Sequence, residues 1–359
     1  MPVNGAMLWQ VLADPQQLLG LDGRALSDLI RLAWQQALAP RLGTLAQEAG
    51  LLPELPQLAG RTLADLALEG RANARRLQFE IERIEAALRG APYPVVLLKG
   101  GAYHAADYTF SRGRLASDVD ILVPHSALDA CEKTLIESGW EMEVKSAYAE
   151  GYYRQWMHEL PPLRHAERGT LIDVHHTLVP LVGRLKPVPD ALIDAAVETS
   201  YGSLLRPSFA DMFVHAALHV FYDGDFHRCL RGFLDLRSLL ESVPDHQDAS
   251  IDQILERAAL HDAHRPVADA LAMLEKHAAL RLTREQKNFV RRHGRFAGLD
   301  SVFIWLYEQR AFQTQPFRYD DPWLAKAALY ARSHWITMPP LMLARHTAVR
   351  LYQSATARD

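Results

Sequence analysis

The sequence predicts an α+β fold, with a short α/β core set between an N-terminal helical region and a C-terminal helical domain. Three observations predict it. Apolar residues recur at three- and four-residue steps through residues 1–90, the period shortens to strand-like runs within 91–182, and helical periodicity returns over 183–359.

In the first region Leu26, Leu29, Ala33 and Ala37, then Leu77, Ile81, Ile84 and Leu88, mark apolar helix faces. Pro53, Pro56 and Gly60 are expected to break this region into pieces. In the core, Val95-Val96-Leu97-Leu98 is β-branched and apolar, with Pro92 and Pro94 before it and Gly100-Gly101 after it, which predicts a buried strand. Ala102 to Phe110 suits a short helix, and Asp118 to Val123 alternates as a second strand. Ser126 is the expected N-cap of a helix whose stripe of Leu128, Cys131 and Leu135 ends at Gly139. Trp140 to Val144 and Leu171 to Val174 read as further strands. Residues 211–221 and 230–240 read as core helices, and a last helix is interrupted at Pro339-Pro340.

Composition bounds the function. With 49% hydrophobic and 23% charged residues the chain is an ordinary globular protein. Its 39 Lys plus Arg against 43 Asp plus Glu leave a formal charge of -4, so no global basic field recruits nucleic acid and an anionic ligand must be held locally. Cys131 and Cys229 are too few for a disulfide framework or a four-thiolate zinc site and suit a reducing compartment. The first residues lack a secretory pattern and no run of about 18 apolar residues occurs, so the cytoplasm is the expected location. A P-loop, a Gly-x-Ser-x-Gly elbow and a His-Glu-x-x-His helix are all absent from the sequence.

The chemistry concentrates around Asp118-Val119-Asp120. On a strand both acids point to one face, about 7 Å apart, while Val119, Ile121 and Val123 enter the opposite layer. Unpaired carboxylates this close repel, so a bound divalent cation such as Mg²⁺ bridging substrate phosphates is the simplest explanation. Ile172-Asp173-Val174-His175 supplies a third acid on another strand, with His175 the expected orienter of Asp173. Three convergent carboxylates suit two-metal phosphoryl chemistry, in which ions about 3.5–4 Å apart activate the attacking oxygen and neutralise the leaving group. Lys99, Gly100, Gly101 and Arg114 are candidates for phosphate contact, although Arg114 also has the reach to salt-bridge Asp118. His215 and His219 lie four apart on one helix face, where packing or a hydrogen bond to Asp235 is expected.

At these residues the sequence resembles the polymerase-β-like nucleotidyltransferase superfamily and, within it, an uncharacterised bacterial nucleotidyltransferase family. The matches are Leu98-Lys99-Gly100, Tyr108, Arg114, Asp118-Val119-Asp120 and Ile172-Asp173-Val174-His175, with weaker ones at His215, His219 and Asp235-Leu236. The resemblance implies a mixed sheet, a triphosphate held at the glycine-containing turn, and Mg²⁺, two ions by the reasoning above, on Asp118, Asp120 and Asp173. The expected reaction moves a nucleoside monophosphate from a nucleoside triphosphate such as ATP to a small-molecule or protein acceptor. Gly100-Gly101 stands where the superfamily often has Gly-Ser, which leaves the phosphates to backbone N–H groups with Lys99, Arg112 or Arg114. A non-catalytic nucleotide-binding or scaffold protein on a degenerate version of this fold is the alternative. The acidic balance argues against a nucleic-acid partner. The basic segment with Lys326, Arg332, Arg345, Arg350 and Arg358 offers peripheral membrane contact, against which docking of Trp335, Leu341 and Leu343 onto the helical domain is the commoner outcome.

Overall fold

Strand β1 (Val95–Leu97) is paired on both sides, which places the first predicted strand inside the sheet rather than at its edge. It runs antiparallel to β2 (Asp118–Leu122) and parallel to β7 (Leu204–Arg206). The remaining strands are β3 (Trp140–Met142), β4 (Leu163–His165), β5 (Leu171–His175) and β6 (Val197–Glu198), giving the order β3-β4-β5-β2-β1-β7-β6. The sheet is mixed, as expected. In this computed structural model the described residues are 3–143, 147–222, 228–242, 250–294, 299–316, 323–337 and 343.

The N-terminal helices are α1 (Gly5–Ala13), α2 (Gly23–Gln35), α3 (Ala39–Glu48) and α4 (Gln57–Leu88). Pro56 starts α4 as its N-cap, but Gly60 lies inside the helix instead of breaking it, because a Cβ there would stand 2.5 Å from the Leu52 carbonyl. Gly43 has the same use in α3, where a Cβ would meet the Leu63 carbonyl at 2.4 Å. These two glycines let α3 and the chain before α4 approach the long helix closely.

Within the core come α5 (Lys99–Ala105), α6 (Leu128–Glu137), α7 (Ala147–Trp156) and α8 (Pro189–Asp194). Ser126 is not the cap of α6. Pro124 leads into a single 3-10 turn over His125–Ala127, and Ala127 is the N-cap. Two strands, β6 and β7, come from beyond residue 182, so the sheet draws on more of the chain than its expected core.

The C-terminal helices are α9 (Phe209–Tyr222), α10 (Cys229–Glu241), α11 (Ile251–Leu260), α12 (His264–His277), α13 (Arg284–His293), α14 (Leu299–Phe312) and α15 (Trp323–Thr337). Capping boxes, Ser250 with Gln253 and Thr283 with Gln286, start α11 and α13. Buried apolar residues from all three regions, among them Leu8, Ile121 and Phe233, belong to one continuous core.

Arg332 of the basic segment is buried and donates to the Phe221 carbonyl and the Tyr307 hydroxyl at 3.3 Å each. It is therefore turned inward, whereas Trp335 stacks against Arg184 near the surface. Val144, Pro339-Pro340, Leu341, Arg345, Arg350 and Arg358 lie outside the described residues. Among the described residues, no helix is long and apolar enough to cross a membrane.

Candidate active site

The parallel pairing of β2 with β5 sets Asp120 directly opposite Asp173, with Asp118 two residues earlier on the same face of β2. Buried core residues hold the two strands: Val119 and Ile121 flank Asp120 on β2, and Ile172 and Val174 flank Asp173 on β5. The sheet thus aligns three carboxylates that the sequence placed on two separate strands.

Their environments differ. Asp120 is buried and accepts Lys99 Nζ at 2.7 Å and His175 Nε2 at 3.1 Å, both on Oδ1. Burial pushes its carboxyl up, but the Lys99 ammonium and His175 outweigh this and hold it well below the usual carboxylate range. Asp173 goes the other way. Burial, then the charges of Asp120 and Asp118, push it up to about 7, against a smaller opposing pull from Lys99. Its Oδ1 is buried with no hydrogen-bond partner among the described residues. An orphaned carboxylate oxygen beside two further carboxylates is a donor set for a hard divalent cation such as Mg²⁺, so these residues fit the metal that the resemblance implies.

Lys99 opens α5 with φ +45°, a left-handed conformation that costs a non-glycine residue about 1–2 kcal/mol. The helix therefore begins where the phosphate-binding turn was expected, and Gly100 and Gly101 form part of its first turn. Their surroundings separate them. Gly100 lines the cleft, and a Cβ there would come within 2.6 Å of Arg114 Nη1. Gly101 packs over Leu97 and Val119 and does not line that cleft.

Arg114 does not pair with Asp118. Its guanidinium crosses the bare face of Gly100 to Asp235 on α10, with Nε at 3.0 Å and Nη2 at 2.9 Å from Oδ2, and lies over the Tyr103 ring. Asp235 feels burial upward, but Arg114, Arg231 and Arg41 hold it below its ordinary value. Arg231 donates to the Leu115 carbonyl, and burial, reinforced by Arg114, lowers its own guanidinium to about 10. His215 and His219 sit on α9 along a neighbouring cavity that also contains Lys99, and His219 also lines the cleft that holds Asp235. Burial first, then Lys99 and His175, hold His215 well below its usual pKa. His175 serves Asp120 rather than Asp173, because its Nε2 reaches across to the neighbouring strand.

The cleft between the sheet and α9–α10 has a volume of about 190 Å³. Asp118 and Asp120 stand on one wall, and Lys99, Arg114, Arg228 and Arg231 supply positive charge around it. Sequence reasoning missed Arg228 and Arg231, whose only signal was a basic pair three apart at the start of a core helix. It also missed Asn73. This α4 residue donates from Nδ2 to the Ala116 carbonyl and accepts the Ala116 N–H, both at 2.9 Å, fixing the segment that leads into Asp118. Asn73→Ala is expected to destabilise the fold by about 1–3 kcal/mol, since two part-buried backbone groups lose their partners. It is also expected to weaken nucleotide binding in protein that remains folded, read by titration below the melting range.

Residues 22–279 match a family model described as an uncharacterised nucleotidyltransferase. A solution structure of the antibiotic-resistance factor ANT(2'')-Ia is 13% identical over 58% of this chain and 98% of its own, with a TM-score of 0.34. No curated protein matches. The family match spans most of the chain, from the N-terminal helices through the three carboxylates and Asp235, and the protein belongs to this uncharacterised nucleotidyltransferase family.

Proposed function

We propose that the chain transfers a nucleoside monophosphate from a Mg²⁺-bound nucleoside triphosphate to an acceptor hydroxyl, phosphate or similar group. The observation that carries this reading is the row of Asp118, Asp120 and Asp173, in which Asp118 and Asp120 line a basic cleft and Asp173, opposite Asp120 on β5, keeps one buried orphaned oxygen. Two Mg²⁺ ions, when bound, supply Lewis-acid stabilisation of the transferring phosphoryl group and its leaving group. Asp118 and Asp120 would hold the ions, Asp173 would complete a ligand set, and Asp173 is the group placed to receive the acceptor proton. The acceptor oxygen bonds to the α-phosphorus while the bond to the bridging oxygen breaks, and pyrophosphate leaves with that electron pair.

Lys99, Gly100, Arg114, Arg228 and Arg231 orient the triphosphate, and Gly101 contributes through the backbone of the same helical turn. The catalytic core spans residues 91–182, its sheet extended by β6 and β7 from the following unit, between a helical N-terminal unit and a largely helical C-terminal unit that walls the cleft. Cys131 and Cys229, both buried and neither in a disulfide among the described residues, fit a reducing location such as the cytoplasm. The acceptor is a small molecule or a protein and lies against the C-terminal helices.

Calorimetric titration of each nucleoside triphosphate, ATP first, with and without Mg²⁺ tests this reading. Binding that requires Mg²⁺ is the expected result. Failure of every triphosphate to bind, with or without the ion, would favour a scaffold that kept the fold.

A further inference from the structure

Beside the carboxylate row lies a second group of donors of different chemistry. His158, Glu159 and His175 each present one ligand atom, and the three atoms lie within 4.8 Å of one another. Glu159 Oε2 is 3.4 Å from His175 Nε2 and 3.6 Å from His158 Nε2. Ligands of a tetrahedral ion with bonds of about 2.0–2.1 Å stand about 3.3–3.4 Å apart, so both separations are close to those of an assembled site.

The backbone builds this arrangement. Glu159 forms an antiparallel bridge with His175, the His176 N–H donates to the His158 carbonyl at 2.9 Å, and the Leu160 N–H donates to the Val174 carbonyl at 2.9 Å. The segment after α7 is thereby laid along the end of β5, which brings the His158-Glu159 pair to a histidine sixteen positions further on in the case of Glu159. His175 is almost wholly buried, whereas His158 and Glu159 keep 14% and 15% of their side chains exposed. His158 lines a cavity of about 230 Å³, which gives an ion a way in.

We propose that His158, Glu159 and His175 form a site for a divalent transition ion of the zinc or cobalt class, distinct from the Mg²⁺ carboxylates, with its fourth position open. Two imidazoles and one carboxylate suit such ions, whereas Mg²⁺ prefers an all-oxygen set. Three protein ligands and an open position are the pattern of a zinc site that admits water or substrate. Loading has a consequence for the neighbouring carboxylates. Coordination uses the His175 Nε2 lone pair, so the 3.1 Å contact with Asp120 Oδ1 is no longer available as a hydrogen bond from that nitrogen. The ion would thus loosen Asp120 from one of its two partners.

The test uses tag-free full-length protein stripped with a chelator and titrated with Co²⁺ without nucleotide, following the visible absorption of the ion. Wild type is expected to give the intense band of four-coordinate Co²⁺. His158→Ala and Glu159→Gln are each expected to weaken Co²⁺ binding by about 100-fold. Asp118→Asn is expected to leave band and affinity unchanged. Two variants are used so that a failure of one to fold, checked by circular dichroism, leaves the other to decide. A weak octahedral spectrum in wild type, or a band lost in Asp118→Asn but kept in His158→Ala, would overturn the proposal and put the ion on the carboxylates. Mg²⁺-dependent triphosphate binding is read separately by calorimetry, so the two proposals can fail independently.

Discussion

Asp120→Asn is expected to weaken Mg²⁺-dependent triphosphate binding by about 100-fold or more, because on the proposed reading a carboxylate ligand of the ions loses its charge. Turnover, read as pyrophosphate release with the acceptor present, is expected to fall by about 1,000-fold or more. The substitution is chosen for its shape. Asparagine retains an oxygen at the position that accepts Lys99 Nζ and His175 Nε2, so the hydrogen bonds of β2 to its surroundings can persist. What changes is the charge facing Lys99, and a cost of about 1–3 kcal/mol in stability is expected from weakening a charged hydrogen bond. Calorimetry and urea unfolding on the same preparation separate the two effects. A folded Asn variant that binds the triphosphate with wild-type, Mg²⁺-dependent affinity would remove Asp120 from the metal site.

Gly113→Ala is expected to destabilise the protein by about 2–5 kcal/mol. Gly113 has φ +77°, and a Cβ there would lie 2.6 Å from Thr44 Oγ1 and 2.9 Å from both the Arg41 Cα and the Pro40 carbonyl oxygen. Two costs therefore add: about 1–2 kcal/mol for the left-handed backbone and about 1–3 kcal/mol for overpacking against α3. The residue that follows is Arg114, so the same displacement is expected to disturb the Arg114–Asp235 pair and lower triphosphate affinity in whatever folds. Gly90→Ala is the comparison. Its φ is +80° but nothing lies within 4 Å of the added carbon, so only the backbone cost of about 1–2 kcal/mol is expected. Urea midpoints of the two variants distinguish crowding from conformation, and equal losses would mean that α3 yields to the methyl group.

The sequence by itself determined the chemistry-bearing strands. Alternation at Asp118-Val119-Asp120 and at Ile172-Asp173-Val174 assigns each acid to one face and each apolar residue to the other, since a strand has a period of two. It also determined the helical flanks, because Leu77, Ile81, Ile84 and Leu88 at three- and four-residue steps have one apolar face to bury. Local signals misled at Ser126, where Pro124 and the 3-10 turn moved the cap to Ala127, and at Gly60, which close packing kept inside α4.

Tertiary structure alone decided how those pieces meet. The register of two parallel strands sets Asp120 opposite Asp173 and turns His175 toward Asp120. The partner of Arg114 is Asp235 on α10, reached because Gly100 has no side chain to block the guanidinium. Asn73, Arg231 and the His158–Glu159–His175 group likewise join residues far apart in the chain. The physical reason is one of range. Periodicity and capping are set by neighbours within a few residues and are therefore written locally, whereas register, charge pairing and donor geometry depend on which apolar faces pack together, and that is fixed only when the whole core closes.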